Sequence, residues 1–565
     1  MKERTITRVA TDVLILGGGS AGIWAARQAK LEHPELDVLI VDKAAQDWGG
    51  LMSLSGGDLE VTMPGEDPGE WVQDLVYYWD GLCDQLMMRE IWEDSHNVFS
   101  TYQDLGLEFF DLPEGGYRSV PQRNLPHIRL YPYKYKGTGG AAMRDALVGE
   151  MNQLGVRRMG RIFITEFLKR DSRVCGAFGF NLVTGEAYEF QCACVVNASG
   201  SPSYKPTYNN NTCTGESILA AFRAGASLRN FEFLNIWNVP RQFAWEGQTI
   251  LMPLGAKFVN RFGTPVMEPY SPVLGSNTDP HYLTRAMALE ISQGRGPITL
   301  DMSAIREEDR ILIRPQTGSQ LLHYNKLMEE GIQFFTDPLE WIPQIQMVIG
   351  AIDADVQGRT GVDGLFAAGR CRSLDPGVYM GGFALTTTAV TGRKAGAAAA
   401  EYACGSDRPE PDRDPALQAA QVMDRIGREG SSAHDVLRQI QTLMAPYDVT
   451  ILKTREGLER AQKGLDTLAA EVLPRLGSES PHYLAKALEV EAIAEISRLY
   501  VTASLFRTDS RAGHYRQDYP DRYEDWLCWV ILHNEDGQAV PHRQPVPVEQ
   551  YPYPVTGYYR DNFTF

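Results

Sequence analysis

The chain has 565 residues, too many for one compact core, and its 43% apolar content can bury about two to four domains. With 72 acidic against 54 basic residues it carries a net charge of −18, which argues against nonspecific nucleic-acid binding. Its start, MKERTITRVATD, has neither an apolar signal core nor a twin arginine, and no apolar run reaches the roughly 18 residues of a membrane span, so a cytoplasmic protein without a span is expected.

Residues 12–43 read as a strand, a glycine turn, a helix and a second strand ending in an acid. Gly17, Gly19 and Gly22 complete G-x-G-x-x-G directly after the apolar run Val13–Leu16, and Asp42 follows Gly22 by 20 residues at the end of Val38–Val41. The glycines alone are weak evidence; their place between strand and helix makes this a dinucleotide site. Gly17 permits the tight turn, Gly19 lets backbone approach a pyrophosphate, Gly22 lets helix and strand close, and Asp42 can accept from a ribose hydroxyl. Next comes a loop of small residues, Trp48 to Gly57, which suits backbone passing close to a flat ligand and is expected to be a cofactor wall.

Residues 67–156 read as helical in several pieces, broken by an aromatic and basic stretch at 131–136 that is expected to be solvated surface. Strands are expected near 161–168, 174–181 and 188–197, the last running into Ala198, Ser199 and Gly200 as a second strand end facing the ligand. Residues 230–345 turn rich in aromatics, prolines and short strands and read as an inserted domain. The α/β pattern resumes at Gly361–Gly369, followed by a helix through Ala384–Ala403. A linker at 405–415 leads to four amphipathic helical segments within 416–505, the clearest being Tyr483–Leu505. The last 60 residues show no clear period.

The eight cysteines are scattered without a C-x-x-C pair, so no iron–sulfur cluster or metal site is expected on this chain. Cys192 and Cys194 fall in a strand-like run whose alternation puts both on one face, as buried thiols.

Together these segments resemble the flavoprotein subunits of succinate dehydrogenase and fumarate reductase, a superfamily that also holds L-aspartate oxidase and the adenylylsulfate reductase flavoprotein. The carriers are GGGSAG at 17–22, Thr214-Gly215-Glu216, FVNRFGTPVMEPY at 258–270, RAMALEISQGRG at 285–296, GLFAAG at 364–369 and RTDSRAGHYRQDYP at 507–520. The spacing beyond Pro520 looks most like the adenylylsulfate reductase branch. The resemblance implies an α/β fold, α+β overall: a Rossmann-like FAD-binding domain in two parts (1–229 and 346–405), a capping domain (230–345), a helical domain (406–505) and a C-terminal extension (506–565) that contacts a partner.

Bound FAD is implied. Gly17, Gly19, Ser20, Ala21 and Gly22 would meet the pyrophosphate, with Ala198, Ser199 and Gly200 beside them and Asp42 and Lys43 at the adenosine. Gly49, Gly50, Ser55, Gly56, Gly57 and Gly369 would line the cofactor, and Glu216 would replace the family's flavin-binding aspartate. Ala384 and Leu385, behind Gly381 and the cofactor-binding Gly382, would present N–H groups to the pyrimidine edge. The family's covalent histidine would fall near Gly50, so the FAD is expected to be noncovalent, and Arg370 stands where a carboxylate usually follows the Ala-Ala-Gly turn.

The catalytic shell of the succinate and fumarate enzymes does not carry over. Trp237 and Gln346 stand at its two histidine positions, Pro280 and Tyr379 at its two arginines, and Thr249 at a proton-relay glutamate. A dicarboxylate buried without cations would cost several kcal/mol, which argues against that chemistry. Replacement candidates are Arg241, His281, Arg285, Arg372 and Tyr379. Arg285 is equally suited to a structural ion pair, His281 to a surface helix cap, and Trp237 to either core or substrate stacking. The expected protein is an FAD-dependent oxidoreductase, exchanging two electrons with a small substrate and single electrons with a ferredoxin-like iron–sulfur subunit in a hetero-oligomer. The Arg507–Pro520 segment either serves that partner or is structural, with Arg511 and Arg516 paired to local acids. A self-contained oxidase resembling L-aspartate oxidase and a non-catalytic FAD-bearing scaffold are the alternatives.

Overall fold

The continuous apolar runs at 13–16 and 38–41 form the middle of a five-stranded sheet, as expected of strands buried on both faces. Its order is Leu365–Ala367, Cys194–Asn197, Val13–Leu16, Val38–Val41, Arg157–Met159, with every pairing parallel. Alternation divides these strands between two cores. Val13, Ile15, Val38 and Ile40 face one, and Leu14, Leu16, Leu39 and Val41 face the other. The computed structural model describes residues 5–122, 124–134, 139–205, 213–241, 251–252, 254–307, 327–333, 335–378 and 380–565.

A second sheet, Ile6–Ala10, Ala187–Gln191, Arg173–Asn181 and Ile162–Arg170, stands beside the first. The chain crosses from one sheet to the other at 192–193, where Cys192 N–H pairs with Cys175. Cys192 and Cys194 therefore lie in different cores rather than on one strand face, although both are buried free thiols.

Between 234 and 348 the chain builds an antiparallel sheet, Leu234–Pro240, Glu340–Val348, Ile298–Asp301 and Lys257–Val259, packed against the helix Pro280–Ser292, so its second strand runs past the expected boundary at 345. Asp279 caps that helix, accepting from His281 N at 2.8 Å and Tyr282 N at 3.3 Å, with Pro280 in its first turn. The helix Phe383–Cys404 returns the chain to the nucleotide fold and lies along Ser20–Glu32. After 405–414, which carries no helix or strand, helices run from Pro415 to Phe506, the longest being Pro481–Phe506.

Two stretches differ from the sequence expectation. Tyr131 and Tyr133 are buried rather than solvated, because Arg129–Tyr131 is the middle strand of a small sheet with 59–60 and 120–121. Tyr135 and Lys136 lie outside the described residues. The final segment contains a hairpin, Cys528–Glu535 with Gln538–Pro545, whose first strand also pairs with Leu228–Arg229. Its outer strand is exposed in its second half and contains two prolines, so no alternating pattern announces it.

Candidate functional site

Two glycines fix the turn after Val13–Leu16. Gly17 has φ +105°, and a Cβ there would lie 2.5 Å from the carbonyl oxygen of Ala198. A Cβ on Gly22 would lie 1.8 Å from the Gly17 oxygen. Gly19 begins the helix Ser20–Glu32 with no side-chain cap and no acid in the first turn, leaving N–H groups available to an anion. Gly50 comes alongside, its Cα 3.3 Å from where a Gly19 Cβ would stand. The turn at 17–22, the loop at 49–50 and the strand end at 198–200 therefore meet.

Asp42 closes this end. One of its oxygens accepts from Gly18 N–H and the other from Ala44 N–H at 2.5 Å. Burial pushes the carboxyl up, against these bonds, and each oxygen retains lone pairs for a hydroxyl. Lys43 turns instead to Glu216, at 2.5 Å, and to Glu489 of the long helical segment, at 3.0 Å. Glu216 also accepts from Thr214, and Lys205 reaches Glu489 at 2.5 Å. Glu489 and Lys205 carry no sequence signal; only the packing of the long helix onto the nucleotide fold brings them here.

The other end is built from Gly56-Gly57, the strand Leu59–Glu60 and the turn Gly381-Gly382. Gly382, at φ +82°, starts the helix Phe383–Cys404 without a side-chain cap, so the N–H groups of Ala384 and Leu385 belong to an unsatisfied first turn. Thr388 Oγ1 bonds Ser20 Oγ at 3.0 Å, and Thr391 Oγ1 accepts from Gly369 N at 3.0 Å, fixing this helix to both nucleotide turns. Arg370 pairs with Asp375. Glu60 is a buried acid that carries no sequence signal, set in an apolar run. Gln122 Nε2 ties its Oε1, at 2.7 Å, to Gly381 O, at 2.5 Å, and burial holds its carboxyl far above the usual range. These segments form a cradle of bare backbone with one helix N-terminus at each end, and this fits the pyrophosphate and flavin of FAD.

The candidates for substrate contact are distributed unevenly. Trp237 and Gln346 lie on adjacent strands of the inserted sheet, both buried, with Trp237 Nε1 donating to Gln346 Oε1 at 2.5 Å. Gln346 occupies a bulge, since Asn235 pairs with Met347 and Ile236 with Ile345; the extra residue aims its side chain at the tryptophan. His281 is buried in the first turn of Pro280–Ser292 rather than capping it at the surface, and its Nε2 lies 3.1 Å from Arg285 Nη2. Arg285 has no carboxylate within salt-bridge range among the described residues. Its guanidinium is ringed by Tyr515 at 4.3 Å, Tyr282 at 4.6 Å and Phe565 at 5.1 Å, and burial lowers its pKa to about 10. Arg372 is equally buried and donates to Ala354 O at 2.8 Å. Arg241 is turned to solvent in a two-pronged pair with Glu340, apart from the rest. Tyr379 and Thr249 lie outside the described residues.

The 507–520 segment turns its arginines inward. Arg507 bonds Glu232 at 2.8 Å and Asp509 at 3.0 Å, Arg511 bonds Asp509 at 3.1 Å, and Arg516 bonds Asp518 at 2.7 Å.

Family comparison agrees with this geometry. A family described as FAD binding domain matches residues 12–385, and one described as fumarate reductase flavoprotein C-term matches residues 437–558. The chain belongs to the succinate dehydrogenase/fumarate reductase flavoprotein family. It is an FAD-binding oxidoreductase of that family, in which iron–sulfur clusters sit on a separate subunit. The fumarate reductase flavoprotein subunit of Mycobacterium tuberculosis is 26% identical over 580 residues, covering 96% of this flavoprotein and 98% of the relative. Two solved structures share the fold. E. coli quinol fumarate reductase FrdA has a TM-score of 0.85 at 20% identity, covering 97% of this chain and 98% of its own. Adenylylsulfate reductase from Archaeoglobus fulgidus has a TM-score of 0.80 at 21% identity, covering 98% of each. Among the described residues, no helix of this flavoprotein is long and apolar enough to cross a membrane.

Proposed function

We propose that this chain is the flavoprotein subunit of a cytoplasmic heteromeric oxidoreductase. It would take two electrons from, or give them to, a small substrate other than succinate or fumarate, and exchange them singly with a ferredoxin-like iron–sulfur subunit. Bound FAD supplies the hydride-accepting centre and the change from paired to single electrons. The chain's own part is to hold the pyrophosphate at 17–22, to face the pyrimidine edge with the N–H groups of Ala384 and Leu385, and to exclude water with the inserted domain as a cap.

The observation that carries the reading is the Trp237–Gln346 bond. Two positions that the resemblance assigns to dicarboxylate-holding histidines are occupied by neutral side chains that satisfy each other, and Pro280 supplies no cation beside them. A dianion there would lose its hydration with little in return. The partner would meet the extension at 506–565, whose outer strand Gln538–Pro545 leaves a polar edge.

The FAD-loaded protein tests this in two assays. Neither succinate with an artificial acceptor nor fumarate with a reduced dye is expected to turn over. The photoreduced protein is expected to pass electrons to ferredoxin quickly and to air slowly. Brisk succinate oxidation would end the substrate reading, and rapid reaction with air alone would replace the partner with oxygen.

A further inference from the structure

Asp58 follows Gly57 and precedes the short strand Leu59–Glu60, at the end of the cradle formed by the Gly381-Gly382 turn. A Cβ on Gly382 would lie 3.3 Å from the Asp58 carbonyl oxygen and 3.1 Å from Glu60 N, so the residue is held against the turn that starts the helix of Ala384 and Leu385. Its side chain makes no hydrogen bond or ion pair with any described residue. The residue is half-buried, and its backbone packs between Gly57 and the Gly382 turn at this end of the cradle. A carboxyl placed there for stability would be paired or hydrogen-bonded.

We propose that Asp58 is the proton-transferring group of this site, a role that rests on the FAD-dependent reading above. In the oxidative direction the Asp58 carboxylate takes a proton from an O–H, N–H or activated C–H of the substrate while the adjacent carbon gives a hydride to the cofactor. One substrate bond to hydrogen breaks heterolytically each way, and a double bond forms between the two atoms. The carboxylic acid then returns its proton to water, and the electrons leave to the one-electron acceptor. In the reductive direction the same acid supplies the proton. The substrate class is a small alcohol, amine or activated saturated compound that is neutral or cationic, because a further anion would be repelled by the carboxylate.

Burial alone pushes Asp58 up to about 6, which puts its titration close to working pH. The titratable groups on the neighbouring elements are Glu60 on the same strand, Arg129 and Tyr131 on the strand paired with it, Tyr133 beyond, and Arg144 on the helix Gly139–Gln153. None of them bonds Asp58.

The test is the midpoint potential of the bound FAD as a function of pH, measured by spectroelectrochemistry on the FAD-loaded chain and its D58N and D58E variants. The wild type is expected to show a change of slope within about one pH unit of 6, D58N to lose it, and D58E to keep it with a displaced position. A merely structural aspartate would leave the slope of D58N like that of the wild type, and this would overturn the proposal. A wild type without a break would do the same. If D58N is colourless while D58E binds FAD, Asp58 holds the cofactor rather than moving a proton, and the proposal fails. If wild-type protein refuses FAD altogether, the flavoprotein reading fails first, and with it the role assigned to Asp58.

Discussion

Trp237 Nε1 donates to Gln346 Oε1 across two strands of the inserted sheet, so two positions that the family resemblance assigns to substrate-binding histidines hold each other. Gln346 is the extra residue of a bulge, which leaves Gln344 as the strand partner of Trp237; in regular register Gln346 would stand opposite Ile236 and Ile345 opposite Trp237. Replacing Trp237 with Phe keeps the aromatic volume and strands the buried Gln346 oxygen. The expected loss of stability is about 1–3 kcal/mol, read from urea unfolding of the FAD-loaded protein. Q346H alone is expected to confer no succinate oxidation, since the cation missing at Pro280 stays missing.

The nucleotide turn offers a sharper test. A Cβ on Gly22 would sit 1.8 Å from the Gly17 oxygen, and one on Gly17 would sit 2.5 Å from the Ala198 oxygen at positive φ. Both contacts are with backbone that has no room to give. G22A and G17A are each expected to lower FAD affinity at least about tenfold, equivalent to about 1.4 kcal/mol, as measured by the 450 nm absorbance retained after gel filtration. Gly149, in a helix with nothing near its missing Cβ, is the control. G149A is expected to keep FAD and gain about 0.5–1 kcal/mol of stability.

The contrast between these two sites explains what the sequence could and could not convey. The strands at 13–16 and 38–41, the turn between them and the helix after Gly382 depend on neighbours within a few dozen residues, so spacing alone places them. The helix at 481–506 was legible for the same reason, from its apolar period. Glu489 on that helix was not, because its meaning comes from Lys43, Lys205 and Glu216, hundreds of residues away in the chain. The buried setting of Arg285 was equally hidden, since its three aromatic neighbours come from its own helix Pro280–Ser292, the 507–520 segment and the final residue. The terminal hairpin was invisible because one strand is buried throughout its first half while the other faces solvent, leaving no alternation to detect.

Glu489 yields a prediction at acid pH. Burial would raise its carboxyl, but Lys43, Lys205 and Lys486 outweigh that and bring it to about 2. An unfolded glutamate titrates near 4.3. Because the folded value is the lower one, the cluster's contribution is complete above about pH 5 and is lost as pH falls toward 2. E489Q leaves Lys43 and Lys205 short of a counter-charge and is expected to cost about 3 kcal/mol at pH 7. It should also flatten the decline of stability between about pH 5 and 2, followed by urea unfolding.

Two histidines contribute in the range just above. His281 is held well below the ordinary histidine range by burial first and by the Arg285 cation second; His514 is held there by burial, then by Lys453, Arg507 and Arg516. His514 Nδ1 lies 2.8 Å from Lys453 Nζ and 3.3 Å from the Glu232 carbonyl oxygen. In the unfolded chain both imidazoles take up a proton near pH 6.5. Below that value the unfolded state binds more protons than the folded one, so stability is complete above about 6.5 and declines as pH falls, by up to about 1.4 kcal/mol per pH unit for each histidine. H281Q is expected to halve the part of that slope due to the pair between about pH 6.5 and 5, a window the Glu489 titration does not reach. Urea unfolding of wild type and H281Q at half-unit intervals separates the outcomes, and an unchanged slope in H281Q would mean that His281 is protonated in the folded protein.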